Sequence, residues 1–305
     1  MALISSILVP ASGLVLAPLL VAVINRVKAR IAGRQGPPLV QPYRDLAKLL
    51  GKGAVYSTTT TWLFRAGPVV SLATALAALL IVPLGGVAAP VHFTGDLVAV
   101  AGLFGLGRFL TVVAALDTGS PFEGMGASRE VTFAALVEPA LFLALASIVA
   151  TTRMGSLSSA YGAVDAALWS AAAPTLGLVA ATLLVVYLVE NSRIPVDDPT
   201  THLELTMIHE VMVLDHSGVD LAFIEYGAAL KLWLLGMLLV GLVVPVRTAN
   251  PWLDGAAVIA GLAGLAMVVG LIESTMARLR MNNVPALIVG GGVLAAVAFV
   301  VGLNP

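Results

Sequence analysis

The sequence contains no cysteine among its 305 residues. This absence excludes disulfides, thiolate zinc sites, cysteine-ligated iron–sulfur clusters and cysteine nucleophiles. Any redox centre that works with the protein must belong to a partner, or be a haem or quinone held without thiols. Charged residues are also scarce, at 11% of the chain, and the net charge is -1. The sequence therefore lacks the excess of basic residues that is typical of nucleic-acid binding. A Walker A motif is absent too, which leaves an ATP-driven pump without support.

Apolar residues make up 59% of the chain, a fraction typical of a polytopic membrane protein. A membrane-spanning helix needs about 20 mostly apolar residues. The segments that meet this condition are about 3–24, 67–88, 97–116, 131–150, 171–189, 224–245, 255–273 and 284–303. We therefore predict an all-α bundle of about eight transmembrane helices, which forms a single transmembrane domain over residues 1–305.

Lys and Arg are distributed unevenly between the loops of this predicted bundle. Twelve of them fall on one side of the membrane, whereas Arg153 and Arg247 fall on the other. Cytoplasmic loops carry an excess of Lys and Arg. The loops predicted to be cytoplasmic are therefore about 25–66, 117–130, 190–223 and 274–283.

The first of these loops contains a helical pattern, QPYRDLAKLLGK, at residues 41–52. Leu46, Leu49 and Leu50 share one face of such a helix, and charged residues take the remainder. We predict an amphipathic helix at the membrane surface or beneath a docked subunit. The alternative is a helix that simply packs on its own bundle.

Acidic residues and histidines are crowded into residues 190–216, ENSRIPVDDPTTHLELTMIHEVMVLDH. Thr201 and Glu204 form a T-x-x-E capping box, which predicts a short helix that starts near residue 202. Apolar residues alternate with the charged ones, so we expect a folded, partly buried loop in which the acids have raised pKa values suited to proton transfer. The alternative is a solvated acidic loop.

Three histidines in this stretch, His202, His209 and His216, recur at seven-residue intervals and would share one helical face. Ligands seven residues apart lie about 10 Å apart along a helix, which is too far for one metal ion. We therefore predict no metal site.

Charged residues also occur inside the predicted spans, at Arg108, Glu138 and Lys231. An ionisable group at membrane depth costs about 2.5–3.5 kcal/mol on insertion scales, so it normally faces a wet cavity or a partner. Glu130 and Glu138 lie eight residues apart and therefore point the same way from the fourth helix. We expect Arg108 and Lys231 to be their counter-charges. A purely structural ion pair is the alternative to a functional role.

Three segments resemble a known family. They are GRQGPPLVQPYRDLAKLLGK at 33–52, REVTFAALVEP at 129–139 and ENSRIPVDDPTTHLELTMIHEVMVLDHSG at 190–218. Together they resemble the membrane subunit shared by respiratory complex I, its subunit 1 or H subunit, and the group 4 membrane-bound [NiFe] hydrogenases. The resemblance covers essentially the whole chain.

Details of the third segment favour one branch of that family. Val196 stands where complex I members have Phe, Thr200 and Thr201 stand where a Glu-Ala pair begins, and Asp215–Gly218 closes the segment. These departures resemble the hydrogenase branch, which includes the formate hydrogenlyase membrane anchor. They disfavour a quinone-binding role.

The resemblance implies a subunit that seats a peripheral redox arm on the prokaryotic cytoplasmic (inner) membrane. The hydrogenase large and small subunits, which would hold the [NiFe] and iron–sulfur centres, would dock on the cytoplasmic loops, and antiporter-like subunits would adjoin the chain in the bilayer. No cofactor or metal is expected in this chain.

The resemblance also implies roles for individual residues. The implied proton path comprises Glu130, Glu138, Glu190, Asp197, Asp198, Glu204 and Glu210. The implied charge partners are Arg108, Arg193 and Lys231. The implied interface with the peripheral arm comprises Arg34, Gln35, Pro37, Arg44, Asp45 and Lys48.

Two other functions remain open at this point. One is a quinone-binding H-type subunit of an NADH:quinone oxidoreductase-like complex. The other is a stand-alone proton-coupled secondary transporter, although such carriers commonly show internal repeats and the sequence shows none.

Overall fold

A computed structural model describes residues 2–197, 208–248 and 250–303 of the chain. Those residues form helices and no strand. The helices are α1 (Ala2–Ile31), α2 (Gln41–Leu50), α3 (Trp62–Leu79), α4 (Asp96–Asp117), α5 (Pro121–Thr152), α6 (Leu157–Ala163), α7 (Ala166–Ala171), α8 (Ala173–Glu190), α9 (Gly218–Val243), α10 (Pro251–Thr275) and α11 (Val284–Leu303).

Within the described ranges, eight helices are long and apolar enough to cross a membrane. They are α1, α3, α4, α5, α8, α9, α10 and the segment that ends with α11. The predicted all-α, polytopic bundle is therefore confirmed, and the protein is a multi-pass membrane protein.

The predicted bounds of the second span, 67–88, are wrong, because α3 runs from Trp62 to Leu79. Thr61 caps the start of α3, where its side chain accepts a hydrogen bond from the Leu63 amide. Beyond the helix, Pro83 lacks an amide hydrogen and Gly85 adopts a φ of 59°. The chain turns there although its side chains stay apolar.

The fourth span also begins earlier than predicted. Helix α5 starts at Pro121, where the proline ring suits the first helical position, rather than near residue 131. The predicted loop at 117–130 is therefore reduced to residues 118–120, and Glu130 lies inside the helix.

Helix α9 forms the centre of the bundle, and every residue from Leu232 to Leu242 is buried. The other spans pack around it, with α3 against α4, α1 against α10, and α11 against α5 and α8. Small residues allow the closest approaches: a Cβ added to Gly107 of α4 would lie 2.6 Å from the Thr74 hydroxyl of α3.

The two ends of the bundle differ in composition. We call one the basic end, which comprises segments 32–61, 118–120, 191–197, 208–217 and 276–283, and the opposite one the far end. Helix α2 lies at the basic end, at the position predicted for a surface helix, and none of its side chains is buried. The Tyr43 hydroxyl of α2 donates to the Val15 carbonyl of α1.

The acidic stretch is described at 190–197 and 208–216. Its apolar residues Ile194, Val196, Val211 and Met212 are buried. Glu210–Val213 forms a 3-10 turn and not part of a longer α-helix, so the prediction that the histidines share one helical face is wrong for His209 and His216. The predicted capping box and His202 lie outside the described residues.

Candidate functional site

The guanidinium of Arg108 joins carboxylates from two helices near the middle of the bundle. Its Nε lies 3.1 Å from Glu130 Oε1, and its two terminal nitrogens donate to Glu138 and to Glu190. The Arg108 side chain is 7% exposed and that of Glu190 is 1% exposed. Guanidinium–carboxylate contacts of this kind are charge-assisted and geometrically specific.

Lys231 extends this cluster from α9. Its ammonium lies 2.7 Å from Glu190 Oε2, so the Glu190 carboxylate bridges Lys231 and Arg108. We call Arg108, Glu130, Glu138, Glu190 and Lys231 the Arg108 cluster. With every group ionised, its carboxylates exceed its cations by one negative charge.

Helix geometry explains why these side chains meet. Glu130 and Glu138 are separated by about two turns of α5, which puts both on the face that meets α4. Glu190 is the last residue of α8 and Lys231 lies midway along α9. Arg108 contacts Glu130 and Glu138, the acids for which a counter-charge was expected. Lys231 instead contacts Glu190.

A cavity of about 460 Å³ leads from the basic end to this cluster. Part of its wall is apolar, with Pro18, Val21 and Leu46 from α1 and α2. The remainder is polar, and its charged or titratable residues include Arg108, Glu130, Glu190, Arg193, His209 and Lys231. The site can therefore bring water and ionisable side chains together inside an otherwise apolar bundle.

His209 is a titratable group outside the spans that faces this cavity. Burial lowers the pKa of His209 below its ordinary value, and the negative charge of Glu130 partly opposes that effect. The imidazole is therefore neutral near pH 7.

Asp197 is buried and is held by specific partners. Its Oδ1 lies 2.9 Å from an Arg278 nitrogen, and its Oδ2 accepts hydrogen bonds from the amides of Ile208 and His209 at 3.3 Å. Asp197 thus joins the two described parts of the acidic stretch. Glu210 borders the cavity, whereas Asp198 and Glu204 lie outside the described residues.

The structure places Arg193 differently from the other predicted charge partners. Its guanidinium lies 3.3 Å from Glu273 Oε1. The Lys28 ammonium lies 2.7 Å from Glu273 Oε2. Sequence reasoning missed Glu273 and the role of Lys28, because each stands near the end of a span where a charged residue is ordinary.

The residues predicted to form a peripheral interface divide into two groups. Arg34, Gln35 and Pro37 are exposed, as are Arg44 and Lys48 on α2. Asp45 instead borders the cavity and accepts a hydrogen bond from Gln41 at 2.8 Å. In the described part of the chain, no group of three His, Asp or Glu side chains is arranged to hold a metal ion.

Comparisons with known proteins agree with this architecture. The chain is 31% identical to formate hydrogenlyase subunit 4 of Escherichia coli (strain K12), with 93% of each chain covered. It is 33% identical to hydrogenase-4 component C of the same organism, over 94% of this chain and 91% of that one.

A solved structure, that of the archaeal membrane-bound sulfane sulfur reductase complex, contains a chain with the same fold. The TM-score is 0.82 with 19% identity, and 99% of each chain is covered. A family model described as NADH dehydrogenase matches residues 4–303. The chain therefore belongs to the NADH dehydrogenase family of membrane subunits, the complex I subunit 1 or H type.

Proposed function

We propose that this chain is the membrane-anchoring, proton-conducting subunit of a group 4 [NiFe] hydrogenase-type complex. The observation that carries this proposal is the continuity of the Arg108 cluster, from a cavity at the basic end to Glu138 within the bundle. The similarity to formate hydrogenlyase subunit 4 and hydrogenase-4 component C supports the hydrogenase branch.

The cluster favours lateral transfer of protons over direct transfer to the far end. Beyond Lys231, the residues of α9 from Leu232 to Leu242 are apolar and buried. Such a segment provides no ionisable side chain and little room for water. Protons that reach the Arg108 cluster therefore leave it laterally, in the plane of the membrane.

Glu138 marks the point of exit. Its side chain is 43% exposed, whereas those of Glu130 and Glu190 are 17% and 1% exposed. A carboxylate this exposed at membrane depth is costly against lipid, so a neighbouring polar surface is expected to cover it. An antiporter-like subunit with a proton-accepting group at this depth fits that requirement.

The basic end would seat the peripheral arm. Arg34, Gln35, Pro37, Arg44 and Lys48 are exposed there and available to partners. The hydrogenase large and small subunits would dock on this end and carry the [NiFe] and iron–sulfur centres, since this chain has no cysteine to ligate a cluster. The excess of Lys and Arg orients this end toward the cytoplasm of a prokaryotic cytoplasmic membrane.

The residues of this chain would then act in sequence. His209 borders the cavity and, together with the water there, relays a proton toward the cluster. Glu130 and Glu190, the acids of the cluster that border the same cavity, receive the proton. Arg108 contacts Glu130, Glu138 and Glu190 together, so a change of charge at the basic end can shift its preferred partner and release the proton toward Glu138.

Replacement of Glu138 by Gln tests this function. The variant removes the titratable group at the exit, so hydrogen turnover with a soluble dye should persist in the assembled complex while ion translocation falls at least about tenfold. A matched control is Asp165→Asn at the far end, where the amide oxygen can still cap the Leu168 amide. Unchanged translocation in Glu138→Gln would refute the proposal.

The apolar part of the cavity favours one alternative, a quinone-binding H-type subunit. A volume of about 460 Å³ falls within the range of small-molecule sites. Quinone that copurifies with the complex, together with sensitivity of turnover to quinone-site inhibitors, would support this alternative. Complex free of quinone and insensitive to such inhibitors would exclude it.

A further inference from the structure

A second buried ionic group, separate from the Arg108 cluster, lies at the basic end. Glu273 in the last turn of α10 has a fully buried side chain, and it contacts Lys28 of α1 at 2.7 Å and Arg193 at 3.3 Å. We call Lys28, Glu273 and Arg193 the Glu273 triad.

Close packing of α1 and α10 brings this triad together. Gly270 lies one turn before Glu273, and a Cβ added to it would lie 2.8 Å from Val27 Cβ and 3.1 Å from the Ile24 carbonyl oxygen. Because Gly270 has no side chain, the two helices approach closely enough for Glu273 to reach Lys28.

The end of α8 directs Arg193 toward the triad. Ser192 adopts a left-handed φ of 50°, and the Arg193 amide donates to the Leu188 carbonyl, which ends the helix. The chain therefore turns directly after Glu190, and the Arg193 side chain meets α10. Arg193 still borders the same cavity as Glu130 and Glu190.

Glu273 occupies an unfavourable place for an acid. The C-terminal turn of a helix carries partial negative charge, and a carboxylate there is repelled by it. Burial adds a desolvation cost that an ion pair in the interior often fails to repay. The helix end and the burial therefore give no reason for an acid at this position, and its contacts with two cations are the feature that a role for Glu273 must explain.

We propose that Glu273 is a positioning residue that holds Arg193 out of the Arg108 cluster and so preserves the excess negative charge of that cluster. This inference rests on the proposed function, because the charge matters only if the cluster carries protons. Arg193 follows Glu190 by three residues and lines the same cavity, so we expect a released guanidinium to turn toward the cluster carboxylates.

Loss of the Glu273 charge would have an electrostatic consequence at a distance. In Glu273→Gln, Lys28 and Arg193 lose their shared anion, and Arg193 turns to Glu130 or Glu190. A further cation then neutralises the excess charge of the Arg108 cluster and holds its carboxylates ionised. Proton uptake by the cluster is therefore suppressed although no member of it has been changed.

The test compares Glu273→Gln with the charge-balanced double variant Glu273→Gln/Arg193→Gln, each in the whole complex in native membranes. Two quantities are measured: ion translocation per hydrogen turned over, and modification of Glu130, Glu138 and Glu190 by dicyclohexylcarbodiimide, which requires protonated carboxyl groups. We expect Glu273→Gln to lower both by about fivefold or more, and the double variant to recover most of each loss.

A purely anchoring role predicts a different result, because the double variant would then be at least as impaired as the single one. That result, or unchanged modification in Glu273→Gln, would overturn the inference. If Glu273→Gln does not accumulate in the membrane, the double variant is compared with the wild type alone. Translocation and carbodiimide modification close to the wild-type values support the inference, and a loss of either overturns it. Carbodiimide modification does not depend on translocation, so failure here is distinguishable from failure of the proposed function, which Glu138→Gln reports.

Discussion

The charged residues of the Arg108 cluster and those of the far end have different kinds of partner. In the Arg108 cluster, ionisable side chains contact one another beside a cavity. At the far end, Asp96 and Asp254 accept hydrogen bonds from the amides of Leu157 and Thr248, at 2.7 and 2.8 Å. Arg247 likewise donates to the backbone carbonyl oxygens of Tyr161, Gly241, Val244 and Val246.

This comparison shows that burial alone does not identify a proton carrier. A charge whose hydrogen bonds go to backbone groups holds loops and helix ends in place, and those backbone partners cannot titrate. A charge whose partners are themselves ionisable, and which faces a cavity, belongs to a network whose protonation can change. The far end therefore has a structural role, and the Arg108 cluster carries the proposed activity.

The largest expected effect comes from Arg108→Gln. This change leaves Glu130, Glu138 and Glu190 without their shared cation, and removal of one partner from a buried ionic group costs about 3–5 kcal/mol. We expect a strong loss of thermal stability and no ion translocation. Arg108→Lys is the matched control, and it should recover part of the stability because it keeps one positive charge.

Substitutions at the far end should lower the stability of the protein without changing ion translocation. Asp254→Ala removes the acceptor for the Thr248 amide and hydroxyl, which should cost about 1–3 kcal/mol. Thermal unfolding of the complex measures this loss. Translocation per hydrogen turned over should stay at the wild-type value, and a selective loss of translocation would contradict the division between the two regions.

A smaller, pH-dependent effect is expected at His216, whose ring stacks on Phe64 with the centroids 3.9 Å apart. Burial lowers the pKa of His216 to about 4, below the usual value of about 6.5. The neutral form is therefore favoured in the folded state, and its stabilising contribution is present above pH 6.5 and lost as the pH falls toward 4. Allowing for partial solvent access, the loss is about 1–2 kcal/mol.

His216→Phe should keep the stacking and remove this dependence. Melting temperatures between pH 7.5 and 5 should fall less in the variant than in the wild-type complex. Equal falls in both proteins would show that His216 does not control stability in this range.

Sequence reasoning found the parts of the site that have a local signature. Glu130 and Glu138 were predicted on one face of a helix by their spacing, and Arg108 and Lys231 by their rarity inside apolar spans. The start of α5 was misplaced by ten residues, because helix Pro121–Thr152 begins in a polar segment that hydropathy does not include.

The Glu273 triad could not be predicted in the same way. Lys28 and Glu273 are 245 residues apart, and their contact depends on the close approach of Gly270 to Val27. No periodicity or motif encodes such a pairing, since it is a property of how two distant helices pack.

The most direct test of the account compares Glu138→Asp with Glu138→Gln in the complex reconstituted into vesicles. Ion translocation per hydrogen turned over is measured for each. The account predicts that Asp, which keeps a titratable carboxyl group, retains a substantial part of the wild-type ratio, and that Gln abolishes it. Equal ratios in the two variants, with both near wild type, would contradict proton conduction through Glu138.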